Sequence, residues 1–247
     1  MMFKKIKRIV NELRANQRKT LAAQEKIQYA QEQLYASNKL SAILPKAHFV
    51  PETGWSMTPK AVLHCLNIIQ IQKASTIIEF GSGASTIYIA QILKNQGGGS
   101  VFYSVESDLE WKASIEKQLE VLGLDAYVSL VHCPIVPVSK ELSYKEQQTW
   151  YDIKVLSDKI GATIFDFVLV DGPFGGSTPY ARYSAYPFLK DHSHTNTVWF
   201  LDDTGRPMER EIIQAWKAES NFNLSLYKRY GVLASASKFD ASPYAFQ

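Results

Sequence analysis

The chain has 247 residues, 46% of them apolar, and a formal net charge of +3. Seven of its Lys and Arg residues fall within residues 1–19 against the single acid Glu12, which leaves the remainder of the chain at a net of −3. This excludes a basic nucleic-acid-binding body, a disulfide scaffold, since Cys65 and Cys133 stand far apart, and a membrane-spanning helix, since no apolar run nears the roughly 18–20 residues required. No apolar segment follows the amino-terminal charges, so no secretory signal is expected and the expected location is cytoplasmic.

Residues 1–43 read as a basic helical arm: positions 1–40 contain no Gly or Pro and are rich in Lys, Arg, Gln, Glu, Ala and Leu. Ile6, Val10, Leu13, Ile27 and Leu34 fall on one heptad seam that Gln17, Thr20, Gln24 and Gln31 interrupt. The arm is open to three readings: homo-oligomer contact, attachment to the inner membrane face, or packing on its own domain. Residues 44–58, punctuated by Pro and carrying Trp55 and Ser56, read as a linker and lid, and 59–247 as the main domain.

Within that domain, apolar runs of strand length lie at 76–80, 101–106, 127–131, 167–171 and 198–202. Helical stretches are expected at 59–72, 84–95, 108–122, 144–160, 179–190 and 207–219. Ser107-x-x-Glu110 and Ser143-x-x-Glu146 match capping boxes, and Pro179 and Pro207 suit first helical turns. Residues 222–237 hold two strand-like runs around Tyr230-Gly231. The expected fold is α/β and doubly wound: a mostly parallel sheet covered on both faces and closed by an antiparallel hairpin.

Ligands of such sheets bind at the carboxyl ends of the strands. The first strand ends in EFGSGAST, Glu79 to Thr86, where Gly81 and Gly83 permit a tight turn and the following helix offers free amides. Thr86 stands where a dinucleotide loop has its third Gly, and Glu79 adds negative charge, so a ligand with a cationic or amine-bearing part is favoured over a pyrophosphate. The second strand ends in Glu106, placed to accept both hydroxyls of a ribose. The fourth ends in Asp171 and the fifth in Asp202-Asp203. Three converging carboxylates would make a hard oxygen site suited to Mg²⁺. The alternative for the pair is capping of the next helix by Asp203 or Thr204, with Arg206 as counter-charge.

TIIEFGSGASTIYIAQIL and VFYSVE, within 76–106, resemble motifs I and II of the class I S-adenosylmethionine-dependent methyltransferases, and FDFVLVDGP (165–173) resembles their motif IV. The resemblance covers about 55–237, and EFGSGAST is similar to a bacterial subgroup of that family. It implies a seven-stranded Rossmann-like sheet and S-adenosylmethionine as cofactor. It also implies that Glu79, Gly81, Ser82, Gly83, Ser85 and Thr86 hold the methionine part, Glu106 and Ser107 the ribose, with His132 and Cys133 near the adenine and Asp171 beside the methyl donor. Asp171, Asp202 and Asp203 are similarly placed to the metal ligands of metal-dependent O-methyltransferases, which implies Mg²⁺-assisted methylation of a small-molecule or glycan-type hydroxyl. Phe174 and Pro173 stand where such enzymes carry a lysine base or a further aspartate. The base therefore stays open among His192, His194, Tyr180 and the aspartates. Two rival readings are a non-catalytic cofactor-binding partner protein and an NAD(P)-dependent reductase built on Tyr186 and Lys190.

Overall fold

The structure, a computed structural model, describes residues 2–45, 48–236 and 239–245. It begins with a 40-residue helix, α1 (Met2–Ser41), and then α2 (Pro59–Gln72) leads into alternating strands and helices. These are β1 (Thr76–Phe80), α3 (Ala84–Asn95), β2 (Val101–Glu106), α4 (Leu109–Leu122) and β3 (Ser129–His132). A short ribbon, β4 (Ile135–Pro137) with β5 (Thr149–Tyr151), and α5 (Ile153–Ile160) precede β6 (Phe165–Val170), α6 (Ala185–Leu189) and β7 (Ser193–Leu201). α7 (Pro207–Ala218), β8 (Asn223–Leu226) and β9 (Gly231–Ala234) complete the described order.

The main sheet has seven strands in the order β3-β2-β1-β6-β7-β9-β8. β3 through β7 are parallel, and β8 and β9 form the expected antiparallel hairpin, with β9 against β7. Ser237, the last residue of the expected hairpin segment, lies outside the described residues. The chain winds outward in one direction from β1 and in the other from β6, so the switch point falls between these two strands.

Side-chain alternation divides the core into two layers. Ile77, Phe102, Phe167, Leu169 and Phe200 pack beneath α2, α3 and α4, while Ile78, Val105, Val168, Val170, Trp199 and Leu201 pack against α5, α6, α7 and the β4–β5 ribbon. The same period of two places Glu79 on the α2–α3 face, directly opposite Ser104 of β2. A carboxylate and a hydroxyl are thereby enclosed in a layer that is otherwise apolar.

Four local expectations are corrected. Residues 144–160 do not form one helix: Trp150 and Tyr151, both fully buried, extend into β5, and the helix starts only after Asp152, whose carboxylate accepts from the Lys154 amide at 2.9 Å. Ser143 caps nothing there; its hydroxyl donates to the Lys140 carbonyl. The helix expected at 179–190 shrinks to Ala185–Leu189, because the chain turns through Tyr180 in a left-handed conformation (φ 55°). The cap of α4 is Asp108, accepting from the Trp111 amide at 2.8 Å, rather than Ser107.

Only the carboxyl-terminal third of α1 docks on the domain. Glu32, Ala36 and Leu40 are buried, and Lys60 of α2 both pairs with Glu32 at 2.6 Å and donates its amide to Gln33 at 3.0 Å. Every residue from 2 to 28 is exposed. Among the described residues, no helix is long and apolar enough to cross a membrane.

Candidate active site

A cavity of about 600 Å³ opens at the carboxyl ends of β1, β2, β6 and β7, across the switch point. Parallel-sheet pairing runs one residue past each strand and fixes the groups there. The Gly81 amide donates to Val105 O (2.8 Å), the Asp171 amide to Phe80 O (2.9 Å) and the Asp202 amide to Val170 O (3.0 Å). Gly81 is required by its surroundings: at φ +92°, a Cβ would meet the Gly172 nitrogen at 2.9 Å. The loops after β1 and β6 therefore touch backbone to backbone.

Gly81, Ser82, Gly83 and Ser85 line the cavity, as do Glu106, Ser107 and Asp171. Glu106 is anchored by backbone amides: one oxygen accepts from Ser107 (2.7 Å) and Asp108 (2.9 Å), the other from Ser82 (3.1 Å). An ionised carboxylate has about four acceptor positions, so Glu106 keeps acceptor capacity toward the cavity. Trp111, whose indole NH holds Ser82 O at 2.8 Å, and Ile115 supply an apolar wall from α4.

Glu79 and Thr86 do not line the cavity; they stand behind its wall. Glu79 is fully buried and accepts hydrogen bonds from Ser85, from Thr86 (2.5 Å) and from Ser104 (2.7 Å). Thr86 Oγ1 in turn accepts from the Gly83 amide at 2.9 Å. The expectation that Glu79 touches the ligand becomes a support role: it holds the glycine loop through the first turn of α3. Burial raises its pKa to about 7, against the pull of those three hydroxyls. His132 and Cys133 also lie outside the cavity lining. His132 Nε2 is 3.2 Å from Ser107 O, and the Cys133 thiol, pushed up to about 12 by burial, points at Asp152 O.

The carboxylates after β6 and β7 do converge: Asp171, Asp202 and Asp203 each offer an oxygen within 4.8 Å of the others. Sequence reasoning missed what lies among them. Arg182, 4% exposed, pairs with Asp171 at 3.1 Å and Asp203 at 3.2 Å, and also donates to the Asp202 carbonyl at 3.2 Å. Arg206 reaches Asp203 at 3.0 Å, and Arg229 reaches Asp203 at 3.2 Å and Asp202 at 3.5 Å. Both carboxylate oxygens of Asp202 are buried without a hydrogen-bond partner among the described residues, but an ion that also drew on Asp171 and Asp203 would have to displace the buried, multiply bonded Arg182, so the donor set does not fit Mg²⁺ as arranged. The helix-cap alternative fares no better, since the Asp203 carboxylate is taken by arginines and α7 has no side-chain cap. Burial raises Asp202 to about 6 and raises Asp171 well above the usual carboxylate range, with Arg229 and Arg182 respectively opposing it.

The remaining candidates are elsewhere. His192 Nδ1 lies 2.9 Å from Thr163 O and His194 Nε2 3.0 Å from Asp166, at the amino ends of β6 and β7 and therefore at the opposite edge of the sheet. Tyr180 donates to Glu211 at 2.9 Å, and Tyr186 packs tilted against Trp199 and stacked on Trp216, outside the cavity lining. The lid does reach the cavity: Thr53, Trp55, Ser56 and Met57 line it, and Trp55 meets Phe174 edge to face at 5.2 Å.

No family model matches the sequence, and no curated protein matches it. Solved structures do match. One is an O-methyltransferase from Bacillus cereus in complex with SAH, 17% identical over 83% of this chain and 91% of that one, with a TM-score of 0.50. Another is the O-methyltransferase TomG from Streptomyces achromogenes, involved in tomaymycin synthesis and bound to SAM, 17% identical over 76% and 92% with a TM-score of 0.51. A third is the SAH-bound methyltransferase PaMTH1 of Podospora anserina, 12% identical over 83% and 88%, also at 0.51. The fold is that of the class I S-adenosylmethionine-dependent methyltransferases.

Two predictions test the buried charges. Arg182→Met strands Asp171, leaves Asp203 with Arg206 and Arg229, and lowers stability by about 3–5 kcal/mol in urea unfolding at neutral pH. Adding Asp171→Asn and Asp203→Asn restores part of that loss, whereas additive losses would exclude the pairing. Glu79 has a folded pKa of about 7 against an ordinary 4.5, so the folded state binds the extra proton. Its contribution is fully present below pH 4.5 and is lost as pH rises through 7, on the order of 3 kcal/mol. Between pH 5 and pH 8 the wild type should lose more stability than Glu79→Gln, the difference being the share of Glu79, because Asp202, raised to about 6, titrates in both proteins.

Proposed function

We propose that the chain is an S-adenosylmethionine-dependent methyltransferase acting on a hydroxyl of a small-molecule or glycan-type acceptor, without a metal ion. The observation that carries this reading is Glu106: a carboxylate pinned by three amides at the end of β2, facing a cavity that also contains the β1 glycine loop. That acceptor chemistry fits a ribose diol. Among the lining side chains, Glu106, Asp108, Asp171 and Asp203 outnumber Arg182 and Arg206, which suits a ligand carrying a cationic centre.

S-adenosylmethionine, when bound, supplies a methyl group on a sulfonium whose bonding pair returns to sulfur on transfer. The chain's own residues do the rest. Glu106 and the Ser82–Ser85 loop hold the nucleoside and amino-acid parts, and Trp111 and Ile115 cover the base. Asp171 receives the proton of the acceptor hydroxyl as its oxygen takes the methyl group. Burial raises the Asp171 pKa and so makes its ionised form a stronger base, while Arg182 keeps that ionised form in place. Trp55 and Phe174, both lining the cavity and 72% and 59% exposed, offer flat faces for a sugar or aryl ring.

The test pairs calorimetry with turnover. Glu106→Ala should weaken S-adenosylhomocysteine binding by roughly 10- to 100-fold, the worth of hydrogen bonds to a charged group. Asp171→Asn should retain most of the binding and lose at least about a hundredfold in kcat, and with it an acid limb lying above the ordinary carboxylate range. Transfer of labelled methyl to hydroxyl acceptors should survive EDTA. Loss of activity in EDTA that returns with Mg²⁺ would reject the metal-free mechanism, and tight NADH binding without S-adenosylhomocysteine binding would reject the reading as a whole.

A further inference from the structure

The amino-terminal half of α1 has no use in the site described above. Met2, Phe3, Ile6, Ile9, Val10 and Leu13 are all exposed, from 37% at Val10 to 88% at Phe3. At about 100° per residue these six fall within an arc of roughly 120°. The seven cations Lys4, Lys5, Lys7, Arg8, Arg14, Arg18 and Lys19 lie outside that arc, flanking it and covering the back of the helix, with Glu12 as the single acid. The segment is therefore an amphipathic helix with a complete apolar face, and no residue before Tyr29 is shielded by the domain.

We infer that this segment docks the protein on an anionic lipid surface, its apolar face entering the headgroup boundary and its cations meeting lipid phosphates. Charge decides against a second copy of the chain as occupant. A parallel copy would set two segments of net +6 side by side. An antiparallel copy would place each against residues 20–41, where Glu25 and Glu32 are balanced by Lys26 and Lys39. The seam is also interrupted by three successive polar positions, Gln17, Thr20 and Gln24, before Ile27 and Leu34 resume it around Gln31, which is weak for self-pairing. The body of the chain, at a net of −3, offers the segment no concentrated acidic partner, and the exposure of residues 2–28 shows it lying on none.

Co-sedimentation of the full chain with vesicles tests this. Wild type should sediment with mixed phosphatidylglycerol–phosphatidylcholine vesicles and remain in solution with phosphatidylcholine alone. The triple variant Phe3→Ser, Ile6→Ser, Leu13→Ser should lose at least tenfold in partitioning, and Lys4→Gln, Lys5→Gln, Lys7→Gln about a hundredfold, roughly fivefold per charge at low salt. Both variants should unfold at the wild-type temperature, because all six positions are exposed. Wild type left in solution with the anionic vesicles would overturn the inference. So would an apolar variant that binds as well as wild type, or a wild-type dimer in light scattering that the apolar substitutions dissociate.

Discussion

Arg182 is the interaction on which the site depends. It bridges Asp171, after β6, and Asp203, after β7, and holds the Asp202 carbonyl in the same reach. Three carboxylates within 4.8 Å of one another in a buried corner would be strongly self-repelling. One guanidinium with donors in a fixed fork can bond two of them at once and fix their planes, which a lysine ammonium does less well, and Arg206 and Arg229 supply the remaining positive charge. The loops that end the two strands are thereby joined, and the cavity acquires a rigid floor on the side where an acceptor would enter.

A second buried carboxylate rigidifies the opposite wall by other means. Glu79 has no cation; it collects three hydroxyl donors, two of them from the first turn of α3. The departure of Thr86 from a dinucleotide glycine motif has its physical reason there. Its hydroxyl bonds Glu79 and accepts from the Gly83 amide, so the glycine loop is locked from behind rather than by closer helix packing. The two walls differ in charge economy: one is an ion cluster and the other a hydroxyl cage around an acid whose pKa stands near 7.

What was legible in the sequence was whatever a strand end fixes. Near-continuous apolar runs of strand length located β1, β2, β6 and β7, and the residues at or just past their ends, Gly81, Glu106 and Asp171, do line the cavity. His192 and His194 misled because they are near Asp202 in sequence. β7 runs nine residues, Ser193–Leu201, so the sheet carries His194 some 25 Å from the acid pair at about 3.3 Å per residue. Arg182 sits in an irregular turn with no period to read. The signal for it was electrostatic: three expected carboxylates against a single expected cation, Arg206. Trp150-Tyr151 was hidden inside a helical-looking stretch because tertiary burial of two aromatics overrode the local pattern.

The hairpin turn draws these parts together through three successive residues. Lys228 lies over the Tyr29 ring of α1 at 3.9 Å, and Arg229 holds both Asp203 and the Ser56 carbonyl of the lid. Tyr230 meets His64 of α2 at 3.1 Å. Burial depresses that histidine to about 4, so it stays neutral and the contact keeps its form across ordinary pH. Arm, lid, helix α2 and the carboxylate cluster thus share one short turn that β9 fastens to β7. The contact at Tyr29 is one residue away from Arg229, one of the three arginines that hold the Asp203 carboxylate. Whatever α1 docks against therefore bears on the same turn that positions the lid over the cavity.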